Sequence, residues 1–140
     1  MIEKMDVVTM RIPFPTISSD LAVKSHMYIC MENGTNKKFV KCQTFKPTHR
    51  ITGKHPFRFV DEKPDINRNP FQNHTTIDCD KTFNVNNVKM NLGLRATMRN
   101  DVCSELFDDI SNEIQHPDLG EEIIDSRLLA QLNYKISIPS

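Results

Sequence analysis

Residues 25–44 decide the fold and read Ser-His-Met-Tyr-Ile-Cys-Met-Glu-Asn-Gly-Thr-Asn-Lys-Lys-Phe-Val-Lys-Cys-Gln-Thr. Two runs typical of β-strands, 25–31 and 38–44, flank the polar segment 32–37. The Asn33-Gly34 step in that segment supplies the positive φ that a tight turn needs. The stretch therefore predicts a β-hairpin, in which Lys41 and its neighbours of like parity share one face of the second arm.

Further strands are predicted on both sides of this hairpin. Residues 6–11 form a short β-rich run that ends at the Pro13-Phe14-Pro15 break, and residues 12–23 are predicted as a loop. The proline-rich stretch 45–74 is predicted as a long loop with a short strand at 57–60. Residues 74–80 and 82–88 follow as strands, which makes five or six in all.

Beyond residue 97 the apolar period changes from 2 to 3.6. Val102, Leu106, Ile110 and Ile114 recur every four residues and predict an amphipathic helix over 100–115. A second helix is predicted from about 118 to 132, followed by strand or tail at 134–139. Strands followed by helices indicate an α+β protein, a small barrel or rolled antiparallel sheet covered on one side by one or two C-terminal helices.

Length and composition limit the class of protein. The 140 residues suit one compact domain, and 38% hydrophobic residues suffice for a core. No apolar stretch approaches the ~20 residues that cross a bilayer, and the first residues lack the apolar core of a signal peptide. The four cysteines lack zinc-site spacing, and only 4 glycines are present, with no phosphate-binding glycine loop. We therefore expect a cytoplasmic protein with reduced cysteines, no membrane association, no metal and no cofactor.

A zero net charge conceals a segregation of charge along the chain. Residues 1–100 carry 16 basic and 9 acidic residues, whereas residues 101–140 carry 2 and 9. Residues 36–60 contain seven cations and no acidic residue, namely Lys37, Lys38, Lys41, Lys46, Arg50, Lys54 and Arg58. Such a run favours a nucleic-acid or acidic-partner surface, while an ordinary solvated face is the alternative. The interleaved Phe residues are expected to fill the core, or, if exposed, to stack on bases.

Order, length and short motifs together resemble the MazF/PemK family of toxin endoribonucleases. The opening Asp-Val-Val at residues 6–8 with Pro13-Phe14 is similar to the family's first strand, and residues 24–29 resemble the start of its second strand. The third strand ends in Thr44, as the family's ends in Thr or Ser. Residues 76–81 resemble the Val-Val-Arg-Cys-Asp-Gln stretch of the PemK branch, and a helix at 100–115 closes the domain in the expected place.

The resemblance implies an SH3-like β-barrel over residues 1–116 with a closing helix, and a C-terminal extension over 117–140. It further implies a homodimer, an antitoxin protein as partner, and cleavage of single-stranded RNA without a metal. In that reaction the 2′-hydroxyl of the RNA attacks the adjacent phosphorus, so the protein supplies a base, an acid and positive charge.

Three catalytic positions carry over from the family. Lys24 falls on the catalytic Arg at the start of the second strand, Thr44 on the hydroxyl that binds the scissile phosphate, and Asp80 on the carboxylate that takes the 2′-hydroxyl proton. Lys24 keeps the charge of that Arg without its bidentate fork. His26 lies two residues away and either replaces the lost Arg as proton donor or has a structural role.

Asp78 departs from the PemK branch, which has an Arg acting as acid at this position. Two carboxylates on one strand face, Asp78 and Asp80, form either an acid–base pair or two solvated groups.

Two other functions remain open at this stage. One is a catalytically inactive module of the same fold that binds nucleic acid or protein, and the other is a structural protein whose acidic 118–132 segment docks on a neighbour. Salt-sensitive binding of intact RNA would favour the former.

Overall fold

The computed structural model describes residues 1–139 as an α+β fold. The strands are β1 (Val7–Met10), β2 (His26–Cys30), β3 (Lys37–Thr44), β4 (Phe59–Glu62), β5 (Thr75–Asp78), β6 (Lys81–Val85), β7 (Lys89–Met90), β8 (Gly120–Ile124) and β9 (Ile136–Ser137). The helices are α1 (Asp20–Val23), α2 (Pro47–Thr52), α3 (Ser104–Ile114) and α4 (Ser126–Leu132), with a single 3-10 turn at Leu92–Leu94.

The predicted hairpin lies at the centre of the sheet. β2 and β3 pair antiparallel, with Met27 opposite Cys42 and Cys30 opposite Phe39. Gly34 in the connecting turn has φ 102°, a conformation that glycine adopts without steric cost. β1 pairs with the free edge of β2. The hairpin prediction is therefore confirmed, with the second arm starting one residue earlier than expected.

β3 is long enough to pair with two successive strands on its other edge. Its C-terminal half pairs with β5, and its N-terminal half pairs with β6. Residues 40–41 of β3 face residues 78–82, so the chain between β5 and β6 bulges at Cys79 and Asp80. Beyond the bulge the sheet divides, because β4 pairs with β5 whereas β8 pairs in parallel with β6.

Within residues 1–139 no strand pairing closes this sheet into a barrel. The strands are ordered β1-β2-β3-β5-β4, and β6 and β8 branch from β3. In this part of the chain only isolated bridges join Asp6 to Asp101 and Val8 to Arg95. The structure is thus a mostly antiparallel, open sheet with short helices.

Both faces of the sheet are buried. Consecutive residues of a strand, which point to opposite faces, are therefore both buried. In β2, Tyr28 and Cys30 join one core, while Ile29 joins the other. The first core is covered by α4 through Leu129, and the second by α3 through Leu106 and Ile110. The predicted amphipathic helix is confirmed over Ser104–Ile114, where its acidic face stays exposed. Residues 100–103, predicted as helical, precede it, and Val102 is buried in the second core without being part of the helix.

The helix predicted over 118–132 is wrong in its first half. Residues 120–124 form strand β8, and only residues 126–132 are helical. Asp125 ends the strand and caps the helix, since its carboxylate accepts from the backbone amides of Arg127 and Leu128. Ile123, which a helix over this segment would place on its apolar face, is 75% exposed in the strand. The C-terminal segment nonetheless joins the core through Ile124, Leu129 and Ile136.

Two stretches predicted as loops contain short helices. Helix α1 lies within residues 12–23, and helix α2 follows directly on β3 within residues 45–74. Pro47 starts α2 at a position where its missing amide costs nothing, and Gly53 ends it with φ 73°. These two helices place side chains over the ends of β2 and β3.

The cysteines are free, and three of them, Cys30, Cys42 and Cys79, are buried among apolar side chains. Burial raises the pKa of the Cys30 thiol to about 11 and that of Cys79 to about 12. Such thiols pack as small hydrophobic groups. Among the helices of residues 1–139, none is long and apolar enough to cross a membrane.

Candidate functional site

An open cavity of about 490 Å³ lies where β2 begins, β3 ends and β5 begins. Its walls include Asp20, His26, Thr44, Lys46, His49 and Asn73. Two of the predicted catalytic residues, His26 and Thr44, therefore line one cavity, although 18 positions separate them in the sequence.

The sheet register explains this convergence. Because β2 and β3 are antiparallel, the start of one lies beside the end of the other, with Met27 opposite Cys42. Thr44 in turn lies opposite Thr75, the first residue of β5. Helix α2 then turns back over the end of β3 and brings His49 to the cavity. The wall thus carries two imidazoles, a hydroxyl and an ammonium group.

His26 is oriented by two oxygen atoms. Its Nδ1 lies 3.0 Å from the backbone carbonyl oxygen of Lys24, and its Nε2 lies 3.3 Å from the carboxylate of Asp20. Both oxygens are acceptors, so a doubly protonated imidazolium satisfies both contacts. The ring is 21% exposed, which holds it in place and leaves it accessible. Because the Asp20 side chain is 65% exposed, the Nε2 of His26 can leave it and donate to a ligand in the cavity.

Lys24 stands beside this arrangement and is not part of the cavity wall. It ends helix α1, and its Nζ lies 3.7 Å from the Asp20 carboxylate with 74% of the side chain exposed. Asp20 therefore links Lys24 and His26 at the mouth of the cavity. An exposed ion pair of this kind is weak, so the lysine side chain remains free to reorient.

Asp80, the third predicted catalytic residue, lies at the other end of β5. It follows Thr75 by five residues, on the order of 15 Å along an extended chain. Its two carboxylate oxygens accept from the backbone amides of Phe57 (2.7 Å) and Arg58 (3.0 Å), and the Arg58 guanidinium lies 3.4 Å away. The carboxylate fixes the segment that leads into β4, and the structure does not bring it to the cavity.

Asp78 stabilises the bulge between β5 and β6, to which Asp80 belongs. Its side chain is buried, and its Oδ1 accepts from the backbone amide of Asp80 at 2.8 Å. Burial raises the pKa of the Asp78 carboxyl above its ordinary value, and the nearby charge of Lys41 partly opposes that rise. Asp78 and Asp80 are thus neither two freely solvated groups nor a pair that faces the cavity.

The seven cations of residues 36–60 do not form one free basic surface. Three of them pair with carboxylates that lie outside residues 36–60: Lys38 with Glu121 at 3.0 Å, Arg50 with Asp61 at 2.5 Å, and Arg58 with Asp80. The expectation that these charges are uncompensated is wrong for those three, because the fold brings the carboxylates to them.

Lys37 is buried, and its ammonium donates to the backbone carbonyls of Ile2 and Gly34. It therefore supports the hairpin turn and presents no charge to a ligand. The side chains of Lys41, Lys46 and Lys54 make no ion pair or hydrogen bond with any residue from 1 to 139, and of these Lys46 lines the cavity.

The aromatic residues of the same run divide between core and surface. Phe39 is buried, as expected of a core residue, whereas Phe57 is 92% exposed. Phe45 stacks on His74 with ring centroids 4.3 Å apart, and the Arg50 guanidinium lies 3.7 Å over the Phe59 ring. Phe45 and Phe59 therefore pack against side chains of the protein itself, His74 and Arg50.

Asp20 and His49 are among the cavity residues that sequence reasoning missed. Both lie on short helices inside stretches predicted as loops. His49 follows Thr44 by five residues, which is the one signal in the sequence that a single helical turn could bring it back to the end of β3. Within residues 1–139 no three His, Cys, Asp or Glu side chains are grouped as metal ligands.

Comparison with protein-family models, with curated proteins and with solved structures finds no match to this chain.

Proposed function

We propose that this chain is a metal-independent endoribonuclease of toxin type that cuts single-stranded RNA. The observation that carries the proposal is the cavity between the ends of β2 and β3, which gathers His26, Thr44, Lys46 and His49. These residue types supply what phosphodiester transesterification requires: a base, an acid, a hydrogen-bond donor and a positive charge.

In the proposed mechanism His49 takes the proton of the RNA 2′-hydroxyl. The 2′-oxygen forms a bond to the adjacent phosphorus as the bond from phosphorus to the 5′-oxygen breaks, which leaves a 2′,3′-cyclic phosphate. His26, held by the Lys24 carbonyl and Asp20, gives its proton to the departing 5′-oxygen. Lys46 and the Thr44 hydroxyl stabilise the extra negative charge on the phosphoryl oxygens in the transition state.

The base is where this mechanism departs from the one the family resemblance implies. That resemblance assigns the role to Asp80, whose oxygens are already hydrogen-bonded to two backbone amides. His49 lines the cavity, and its ring makes no hydrogen bond with any residue from 1 to 139. Imidazole is the side chain that accepts and releases protons near neutral pH without strong perturbation, which suits it to this role.

Membership of the MazF/PemK family, an SH3-like core, a homodimer, an antitoxin partner and a cytoplasmic location belong to the same proposal. Their support is the sequence motifs around Asp6, Lys24, Thr44 and Cys79. The chain also carries a first strand, a central hairpin and a later helix in the order that the resemblance implies, which supports the proposal.

The test is incubation of the purified protein with a long unstructured RNA in the presence of EDTA. We expect discrete fragments that end in a 2′,3′-cyclic phosphate and a 5′-hydroxyl, and no cleavage at a position carrying a 2′-deoxy sugar. His26→Gln lowers the rate about 10²–10⁴-fold, the usual contribution of a general acid. The matched control is His55→Gln, because His55 lies outside the cavity. Intact RNA after prolonged incubation with the wild-type protein would contradict the proposal.

A second candidate function is a catalytically inactive module of the same fold that binds RNA. It is favoured by the engagement of Asp80 with Phe57 and Arg58, which leaves the family's base unable to reach a ligand in the cavity. In that case RNA stays intact but shifts in a gel, with an affinity that falls as salt rises.

A further inference from the structure

A second cavity, of about 520 Å³, adjoins the first one. It lies between the end of β1, the segment 93–97 and residues 132–135 near the C-terminus. Both cavities are lined by Ser25 and Met27 at the start of β2. A ligand extended along the surface can therefore pass from one to the other across these two residues.

The charged residues that line the second cavity are all positive. Its walls carry three cations, Arg11, Arg95 and Lys135, and no Asp or Glu. The guanidinium of Arg95 is half-buried, and its charge acts on the nearby Asp6 carboxyl, so it contributes positive potential to the wall. The exposed Arg11 side chain makes no hydrogen bond or ion pair with any residue from 1 to 139. Arg11 is therefore free to bind an anionic ligand in this cavity.

The backbone around these cations is fixed. Asn133 is buried, its Oδ1 accepts from the Arg11 amide at 2.9 Å, and its Nδ2 donates to the Arg11 carbonyl at 2.7 Å. Lys135 donates from Nζ to the carbonyl of Gly93 at 3.2 Å. The C-terminal segment is thereby held against β1, which fixes the backbone positions of Arg11 and Lys135 when no ligand is bound.

An exposed aromatic ring stands beside the cations. Tyr134 lines this cavity, is 91% exposed, and has the Lys135 ammonium 5.6 Å from its ring centroid. Cations that follow a phosphate backbone together with an exposed ring form the recurring arrangement of single-strand binding sites. A base inside a duplex cannot stack on such a ring, so the arrangement favours an unpaired strand.

We infer that the second cavity is a binding subsite for the same single-stranded RNA. It holds the part of the strand that leaves the scissile phosphate and passes over Ser25 and Met27. Arg11, Arg95 and Lys135 bind its phosphates, and Tyr134 stacks on one base. This inference rests on the proposed function for its substrate class. It adds that the C-terminal segment 132–135, beyond the stretch that resembles the toxin family, contributes to substrate binding.

The test measures binding separately from cleavage, by fluorescence anisotropy with a 2′-O-methyl RNA of about 12 nucleotides, a length within the range of such sites. This RNA lacks the 2′-hydroxyl and cannot be cut. In the double variant Arg11→Gln/Lys135→Gln we expect affinity to fall on the order of tenfold near 0.1 M salt. The slope of log affinity against log salt should drop by about 1.4, which is 0.7 for each lost phosphate contact. The matched control, Lys4→Gln/Lys63→Gln, removes the same charge from exposed positions outside both cavities.

Tyr134 provides an uncharged arm of the same experiment. Tyr134→Ala should weaken binding at least about fivefold, whereas Tyr134→Phe keeps the ring and the affinity. Equal effects of the two double variants, or no effect of Tyr134→Ala, would overturn the subsite. So would absence of RNA binding by the wild-type protein, or duplex RNA that binds as tightly as the single strand. If the wild-type protein cuts RNA but the subsite variants bind normally, only this inference fails. If binding depends on the subsite but RNA stays intact, only the nuclease fails.

Discussion

The two ends of strand β5 both carry polar side chains, but they differ in whether those side chains are free. At the Thr75 end an open cavity holds the imidazole of His49 and the ammonium of Lys46, neither of which makes a hydrogen bond or ion pair to another residue from 1 to 139. At the Asp80 end both carboxylate oxygens accept from backbone amides, and Asp78 binds the amide of Asp80. The difference indicates that the first end is suited to a ligand and the second to the fold.

A carboxylate that accepts two backbone amides replaces hydrogen bonds that water would otherwise make. Loss of such an acceptor leaves the part-buried Arg58 amide without its partner, whereas the exposed Phe57 amide can turn to water. The bulge at Cys79 and Asp80 needs these contacts, since bulged residues drop out of the regular ladder of the sheet. The backbone carbonyl of Asp80 also accepts a hydrogen bond from the amide of Gly120, where β8 begins. One residue therefore joins the segments leading into β4, β6 and β8.

The largest effect on stability is expected from Asp80→Asn. The amide group retains one acceptor but turns a donor toward a backbone amide, so we expect the free energy of unfolding to fall by about 2 kcal/mol, as for a charge-assisted hydrogen bond. Urea denaturation followed by circular dichroism measures it. Asp109→Asn on the exposed face of α3 is the control and should change stability by less than about 0.5 kcal/mol. Equal stability of the two variants would show that the Asp80 contacts contribute nothing to the bulge.

A smaller effect, of opposite sign, is expected from Asp78→Asn. Burial raises the pKa of the Asp78 carboxyl above its ordinary value of 3.8, so ionising it disfavours the folded state. This cost is absent well below that ordinary value and grows as the pH rises through it toward the raised folded value. In the variant, the side-chain amide oxygen at this position can still accept from the backbone amide of Asp80.

Thermal unfolding of the Asp78→Asn variant should therefore show a melting temperature a few degrees above that of the wild-type protein at pH 7. The two should converge near about pH 3, where the carboxyl is protonated in both states. A melting temperature lowered by the same amount at both pH values would mean that Asp78 acts through its shape and not through its charge.

The sequence predicts the parts of the fold that depend on local pattern. The Asn33-Gly34 turn, the alternation in β3 and the fourfold spacing from Val102 to Ile114 all act over a few residues, and the structure contains the corresponding hairpin and helix. The strand β8 is not predictable in this way. Its Gly-Glu-Glu-Ile-Ile sequence suits a helix locally, and pairing with β6 decides its conformation.

The candidate site divides in the same manner. His26 and Thr44 are predictable from their positions at the ends of strands that pair with each other. The environment of Asp80 depends on the amides of Phe57 and Arg58, more than 20 residues earlier in the chain, and no local pattern reveals such contacts. Likewise, the carboxylates that neutralise Lys38 and Arg50 come from β8 and β4. A charge count within one segment cannot include partners from another.

The central claim is that any RNA-cleaving centre lies at the Thr75 end of β5 and not at the Asp80 end. The most direct test compares the single-turnover cleavage rates of His49→Gln and Asp80→Asn, with circular dichroism confirming that each variant is folded at the assay temperature. We predict a fall of at least about 100-fold for His49→Gln, the usual effect of losing a general base, and a rate within about threefold of wild type for Asp80→Asn. A folded Asp80→Asn variant that loses cleavage while His49→Gln retains it would contradict the account.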